Sequence, residues 1–251
     1  MNKHWENLLI ALVLALITAF IVVAAGKISA PGTTMNRILQ IMGSGLPSGV
    51  VQFFTFLLFY FGLAEIYSAS KKIGDEEFAY SLHLLPEREQ YVLSPRDVND
   101  IKLDVMKKED GYRKYVLTEL IKKACTKYRA NKSTSEALEI VTATVRINMA
   151  NSESEQSMIR YVAWAIPSVG FIGTIIGIAG SLGTVKANMG EDDIALVTQA
   201  LYVAFDTTLL SLVLSIVLMF VFHVTQEKIE KFHANMESYV IENLINRIYK
   251  N

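Results

Sequence analysis

The sequence predicts an all-α integral membrane protein with four transmembrane helices and a helical cytoplasmic domain between the second and third of them. The chain has 251 residues, of which 51% are hydrophobic, and its mean hydropathy is positive, at +0.30. Four apolar segments reach the length of about 20 residues that a helix needs to cross a bilayer. The long stretch between the second and third segments is highly charged and shows no convincing strand alternation.

Composition also excludes several classes of function. The net charge of −1 gives no global basic surface, so we predict no nucleic-acid partner. The single cysteine, Cys125, excludes an internal disulfide, and we predict no metal site and no cofactor. With no nucleophile–base pair and no phosphate loop after a strand, we predict that the protein is not an enzyme. The histidines show no metal-ligand spacing: His4, His83, His223 and His233.

Residues 1–69 are predicted to form an N-terminal helix pair in the membrane. The first apolar run covers residues 7–25, and residues 23–25 would also suit a signal-peptide cleavage site. We favour a retained helix, because this run exceeds the roughly 7–15 apolar residues of a signal peptide and Trp5 suits an interfacial anchor. Residues 27–47 are predicted to form a polar loop. Residues 50–67 form the second span, whose phenylalanines cover it all round and predict a lipid-facing helix.

Residues 70–160 are predicted to form the cytoplasmic helical domain. Residues 71–160 contain 16 lysines and arginines and 15 aspartates and glutamates, which indicates a soluble, charge-balanced region. Four helix signals follow in chain order: Ser94-Pro95, a helical pattern over residues 112–130, Ser133-x-x-Glu136 and Ser152-x-x-Glu155. The last of these is predicted to cap a helix that runs on into the membrane.

Residues 161–224 are predicted to form a transmembrane hairpin, with a third span over 161–182 and a fourth over 194–223. The fourth span is about 45 Å long at 1.5 Å per residue, so it must tilt or protrude. Residues 225–251 are predicted to form a C-terminal cytoplasmic helix whose apolar side packs on neighbouring helices. Because most basic residues lie in the central block and the tail, both termini are predicted to be cytoplasmic.

The hairpin combines small residues with hydroxyls. Small side chains let membrane helices approach closely, so we assign helix packing to the third span at Pro167, Gly170, Gly173, Gly177 and Gly180. Thr174 and Thr208 are predicted to lie at a similar depth, roughly 20 Å from opposite ends of their spans. Thr208 shares its helix face with Ser211, and Thr207 lies between that face and the face of Asp206, so it could serve either. A threonine often bonds only its own backbone, but matching hydroxyls on two helices favour a weakly polar ion path.

Asp206 has two open interpretations. An ionisable residue inside a membrane is expensive and suggests a function. At 100° per residue, Asp206 lies about 200° from Thr208, on a face shared with Tyr202. It is either a proton-carrying carboxylate or a structural group that pairs with another helix or subunit.

These residues resemble a known family. Residues 166–178, IPSVGFIGTIIGI, resemble the proline and Gly-x-x-Gly-Thr-x-x-Gly signature of the MotA/TolQ/ExbB proton-channel family. Residues 204–212, AFDTTLLSL, resemble its second signature, a threonine followed by small and apolar residues. By position Thr174 and Thr208 match the pore-lining threonines of the family. TolQ and ExbB carry a glutamate where this chain has Val203, so no proton role is carried over to Asp206.

The resemblance implies a bacterial inner-membrane motor with two components. It implies a pentamer of this subunit, embedded in the lipid bilayer, around a pair of single-span partner helices that bring the aspartate to be protonated. The four spans are more similar to the MotA arrangement than to the three-span TolQ and ExbB arrangement. The ion, proton or sodium, and the driven process stay open: motility as a flagellar stator, outer-membrane uptake, envelope maintenance, gliding or phage defence. The alternative is a membrane scaffold that oligomerises through the hairpin and recruits cytoplasmic partners.

Overall fold

The computed structural model describes residues 3–30, 32–45, 48–87, 92–111, 114–183 and 190–249. These residues form helices and no extended strand, apart from an isolated bridge between Leu93 and Ile248. Two short 3-10 turns also occur, at Phe78–Leu82 and Ile245–Arg247. The helices are α1 (Lys3–Ile28), α2 (Thr34–Ile41), α3 (Ser48–Glu77), α4 (Pro95–Gly111), α5 (Val116–Asn131), α6 (Thr134–Glu155), α7 (Ser157–Gly183) and α8 (Glu191–Asn243).

Four segments are long and apolar enough to cross a membrane, within α1, α3, α6–α7 and α8. The predicted fold class, an all-α protein with four candidate spans, is therefore confirmed. The chain divides into two compact units, with boundaries inside α3 and α8 and between α6 and α7. The membrane unit comprises residues 1–67 and 157–223, and the charged unit comprises residues 68–156 and 224–251. The placement of the charged unit in the cytoplasm stays a prediction.

The membrane unit has its own apolar contacts between helices. Gly62 of α3 lies so close to α8 that a Cβ there would be 2.8 Å from a methyl carbon of Leu218. Phe56 is 5% exposed and packs with Ala15 and Leu210. The prediction that phenylalanines of the second span face lipid all round is therefore wrong at Phe56, because α1 and α8 cover that side of α3.

The predicted loop over residues 27–47 contains a helix. Helix α2 begins after Thr33, whose Oγ1 accepts a hydrogen bond at 3.2 Å from the Asn36 amide. It ends before Gly43, which has a φ of +100° that glycine adopts without strain. Leu39 is buried at 8% exposure, so α2 packs one face inward. The helix has only eight residues, too few for a clear helical period in the sequence.

The charged unit confirms two of the four predicted helix starts, those at Ser94-Pro95 and Ser133. Helix α4 begins at Pro95, and the Asp97 amide donates to Ser94 Oγ at 3.3 Å. Ser133 Oγ caps α6 by accepting from the Glu136 amide at 3.2 Å. Helix α5 begins at Val116. The predicted helical pattern begins at residue 112, and residues 112 and 113 lie outside the described residues.

The capping box predicted at Ser152 is wrong. Helix α6 continues to Glu155, because the Gln156 amide still donates to the Ser152 carbonyl oxygen at 3.2 Å. The Ser152 hydroxyl instead lies 3.1 Å from Nε2 of His233 on α8. A serine three residues before a glutamate also fits a helix interior, so the motif alone does not locate a helix start.

The core of the charged unit is apolar and joins the end of α8 to the unit's other helices. Burial raises the pKa of the Cys125 thiol in α5 to about 12. The apolar side predicted for residues 225–251 packs inward, as predicted, with Phe232, Met236 and Val240 almost fully buried. This core includes Leu93, Val98, Val105, Leu117, Leu120, Ile121, Ala124, Cys125, Val141, Ile229, Phe232, Met236, Val240 and Leu244.

Candidate functional site

Three glycines of α7 lie against α8 with no room for a side chain. A Cβ on Gly170 would overlap the Ser211 hydroxyl and lie 2.6 Å from Ser211 Cβ. On Gly173 it would lie 2.7 Å from Thr207 Cβ, and on Gly177 it would lie 2.7 Å from Ala204 Cβ. Since real Cβ atoms do not approach this closely, glycine is what permits the helix contact.

Gly180 differs from these three glycines. It lies on an exposed part of α7, and a Cβ there would meet nothing within 4 Å in this chain. Its predicted packing role therefore involves no contact of the described residues. Helix packing at Gly180 stays a prediction.

The threonine hydroxyls of the two helices meet beside Gly170. Thr174 Oγ1 and Thr208 Oγ1 are hydrogen-bonded to each other across the α7–α8 contact. Thr208 Oγ1 also lies 3.0 Å from the Gly170 carbonyl oxygen, and Thr174 Oγ1 lies 3.1 Å from the Ala204 carbonyl oxygen. Each hydroxyl has one proton and two lone pairs. In one consistent arrangement, Thr174 donates to Thr208, and Thr208 donates to Gly170.

The other two predicted hydroxyls are more deeply buried. Thr207 is 1% exposed and donates to the Ala204 carbonyl at 3.0 Å, and Ser211 is 0% exposed and donates to the Thr208 carbonyl at 2.9 Å. Thr174 and Thr208, by contrast, are only half-buried. Within this chain, therefore, the threonine pair reaches the surface of the hairpin, whereas Thr207 and Ser211 fill the space between the helices.

Pro167 removes one backbone hydrogen bond from the middle of α7. Proline has no backbone N–H, so the carbonyl of Ala163, four residues earlier, lacks its usual helical donor. Ser215 of α8, which is 9% exposed, donates to this carbonyl at 3.3 Å. In a membrane an unsatisfied carbonyl is costly, so Ser215 stabilises the helix at the site of the proline.

Asp206 lies on the opposite side of α8 from the threonine pair and contacts α2. Its carboxylate is 8% exposed, and both oxygens accept hydrogen bonds from Arg37, at 2.8 Å from Nη1 and 2.7 Å from Nη2. The Arg37 guanidinium also lies over the Tyr202 ring, 4.7 Å from its centre. The position of Asp206 on the Tyr202 face follows the predicted helical geometry, but no sequence pattern indicated that Arg37 would be its partner.

A second carboxylate, that of Glu65, is also buried, and no sequence pattern predicted its partners. Glu65 of α3 is 6% exposed and accepts a hydrogen bond at 3.0 Å from the side-chain amide of Asn7. Nδ1 of His4 lies 2.9 Å from the same oxygen. In the sequence, Glu65 is simply the first charge near the end of a span, and no spacing relates it to residues some 60 positions earlier.

Comparison with protein families gives a match over residues 112–238, half of the chain. The matching family is described as the MotA/TolQ/ExbB proton channel family. The chain belongs to this family. Its members are proton-channel-type membrane proteins that form channel complexes with partner subunits. A search of curated proteins and a search of solved structures each found no match.

The region matched to the MotA/TolQ/ExbB family contains the threonine pair, the glycine contact and Asp206, but not Arg37. The family identification predicted from residues 166–178 and 204–212 is therefore confirmed, and so is the expectation of a multi-pass membrane protein. Val203 is half-buried on α8. In the described part of this chain, no cluster of three or more His, Cys, Asp or Glu could hold a metal ion.

Proposed function

We propose that this MotA/TolQ/ExbB protein is the ion-channel subunit of a two-component inner-membrane motor. The subunit forms a homo-oligomer, a pentamer, around a pair of single-span partner helices and converts the proton-motive force into mechanical work. Both termini and the charged unit are cytoplasmic. The observation that carries this proposal is the hydroxyl pair of Thr174 and Thr208, half-buried at the surface of the α7–α8 hairpin.

The chemistry of this pair suits ion transfer between subunits. A hydroxyl both donates and accepts a hydrogen bond, so it can hold a water molecule or pass a proton without carrying a charge. Phe171 and Phe205, each three residues before a threonine of the pair along its helix, are 62% and 63% exposed in the single chain. An assembly covers such surface and leaves the hydroxyls as the polar groups on a narrow apolar wall.

The titrating carboxylate of the path comes from the partner. Among the described residues of the membrane unit, the carboxylates of Asp206 and Glu65 are buried, and each has polar partners within the chain. Neither of them contacts the threonine pair in the described structure. A separate single-span helix with a membrane aspartate supplies the missing group, and its domain outside the membrane determines which process is driven.

Replacing either threonine by valine tests the proposal. Valine keeps the side-chain shape and removes the hydroxyl, so Thr174→Val and Thr208→Val should each reduce ion flux about tenfold. Loss of one hydrogen bond costs roughly 1–1.5 kcal/mol, and 1.36 kcal/mol is about tenfold in rate. The measurement is proton uptake by membrane vesicles that contain the chain and the products of its neighbouring genes.

Thr198→Val provides the matched control. Thr198 is an exposed threonine on α8, the helix of Thr208, and within the described structure its hydroxyl bonds to its own helix backbone, at 2.8 Å from the Ile194 carbonyl oxygen. This variant should keep the flux of the original protein. If all three variants assemble on native gels with unchanged flux, the hairpin is not the ion path, and the membrane scaffold becomes the better account.

A further inference from the structure

We propose that Arg37 is a positioning residue that holds Asp206 as a charge-neutral pair and fixes the rotation of α8. Asp206 then does not carry the transported proton, and its pairing keeps Thr208 directed at Thr174. The pair joins α2, between the first two spans, to the hairpin within the membrane unit. Only the expected effect on ion flux rests on the proposed function, whereas the pairing itself is independent of it.

The geometry of the contact constrains orientation as well as distance. Two parallel N–H···O bonds, at 2.8 and 2.7 Å, join the guanidinium to the carboxylate. A bidentate pair of this kind fixes the planes of both groups, which a single lysine contact does not. The guanidinium also lies over the ring of Tyr202, one helical turn before Asp206. Arg37 therefore contacts two successive turns of α8.

These contacts hold α8 from the side opposite the threonines. Asp206 and Thr208 are separated by about 200° around the helix axis. Thr208 contacts Thr174 and Gly170 of α7, while Asp206 contacts α2. Rotation of α8 about its axis breaks the contacts on both sides together. The ion pair is therefore placed to maintain the alignment of the two threonines.

Because the two partners are unequally buried, removing one should destabilise the protein more than removing the other. The Asp206 side chain is 8% exposed and the Arg37 side chain is 41% exposed. Without Arg37, a buried carboxylate remains with no counter-charge, which is strongly destabilising. Without Asp206, the guanidinium remains, and water can solvate its exposed part. Loss of Arg37 should therefore lower stability and ion flux more than loss of Asp206. If Asp206 carried the transported proton, loss of Asp206 would instead reduce ion flux more than loss of Arg37.

The experiment is a double-mutant cycle in the full chain, with Arg37→Gln, Asp206→Asn and the double variant. Thermal melting of the detergent-purified protein measures the pairing, and vesicle proton uptake measures the consequence for transport. We expect Arg37→Gln to lower Tm by about 5 °C and Asp206→Asn to lower it less. The double variant should melt no lower than Asp206→Asn and should keep more flux than Arg37→Gln.

A control cycle and a substitute variant make the result interpretable. The pair of Lys72 and Glu155 in the charged unit is exposed, at 43% and 60%, so the same cycle with glutamine at both positions should show no coupling. If Arg37→Gln does not accumulate, Arg37→Lys replaces it. That variant keeps the charge but loses the bidentate geometry, and it should melt between the original protein and Asp206→Asn.

The outcomes separate this proposal from the proposed function. Additive effects on Tm, or a larger loss of Tm for Asp206→Asn than for Arg37→Gln, would overturn the positioning role. Abolished flux in Asp206→Asn with unchanged Tm would also overturn it and would identify Asp206 as a proton carrier. Strong coupling in Tm together with full flux in Thr174→Val supports the pairing and contradicts the proposed function instead.

Discussion

The α7–α8 contact of the membrane unit and the core of the charged unit are built from different kinds of side chain. In the membrane unit, α7 meets α8 through Gly170, Gly173 and Gly177, and buried hydroxyls bond to backbone carbonyl oxygens. In the charged unit, large apolar side chains such as Leu117, Leu120 and Ile121 fill the space between the helices. Its ion pairs lie mostly at the periphery, as with Lys123 and Glu119.

The difference follows from the surroundings of each unit. In water, burying apolar surface stabilises a fold by roughly 25 cal/mol per Å², so large side chains are effective between helices. Lipid chains are as apolar as leucine, so that gain is absent within a membrane. Close backbone approach and satisfied polar groups then hold the helices together, and glycine and hydroxyl side chains provide both. Three substitutions test this contrast, from the largest expected effect to the smallest.

Gly170→Val should have the largest effect. A valine there places its Cβ onto the Ser211 side chain and against the Thr207 carbonyl, which belongs to the backbone and cannot move aside. We expect a loss exceeding roughly 3 kcal/mol, at or beyond the upper end of overpacking effects. The hairpin should fail to close, and the yield of folded protein on size-exclusion chromatography should fall sharply.

Gly180→Val is the control in the same helix. A side chain at Gly180 meets nothing within 4 Å in this chain, so the single chain should fold normally. If Gly170→Val folds as well as Gly180→Val, folding does not require the close contact between α7 and α8. That result would contradict the contrast between glycine-mediated packing in the membrane unit and apolar packing in the charged unit.

Leu120→Ala should give the next largest effect. Leu120 is 0% exposed in the core of the charged unit, and its truncation removes buried apolar surface and leaves a cavity. The expected loss is about 3 kcal/mol, within the usual range for buried Leu→Ala changes, measured by chemical denaturation of the purified protein. Leu103→Ala, at a leucine 46% exposed on α4, should change stability by less than about 0.5 kcal/mol.

Glu109→Gln should give the smallest effect and a dependence on pH. Burial acts to raise the pKa of the Glu109 carboxyl, but hydrogen bonds from Lys122 and Thr118 outweigh it and hold that pKa below its ordinary value. A carboxyl whose pKa is lowered by folding stabilises the protein above its unfolded pKa, and this contribution disappears as pH falls through the folded pKa. At pH 7 the variant should lose about 1 kcal/mol.

Melting curves from pH 7 down to about pH 3.5 measure this effect, because the interval spans the ordinary pKa of a glutamate. The stability difference between the original protein and Glu109→Gln should shrink as the pH falls below about 4.5. Glu139→Gln changes an exposed carboxylate on α6 and should show no such trend. A difference that stays constant with pH would show that Glu109 acts through its shape rather than its charge.

Sequence patterns predicted the parts of the fold that depend on neighbours along the chain. The spans, the start of α4 at Ser94-Pro95 and the cap at Ser133 follow from hydropathy and from contacts within one helical turn. Two of the failures have equally local causes, whereas the third, at Phe56, is tertiary. Helix α2 is too short to show a period, and Ser152 satisfies a capping motif inside a continuous helix. Phe56 is covered by α1 and α8, which the periodicity of α3 does not contain.

For the candidate site, the sequence by itself determined that Thr174 and Thr208 lie on apolar helices beside a glycine ladder, because a helix places residues three and four apart on one face. Tertiary structure decided the partners. The hydrogen bond between the two threonines, the Ser215 contact to Ala163 and the pair of Arg37 and Asp206 join residues 34, 52 and 169 positions apart. Such contacts depend on how close and at what rotation the helices pack, and no local pattern encodes that geometry.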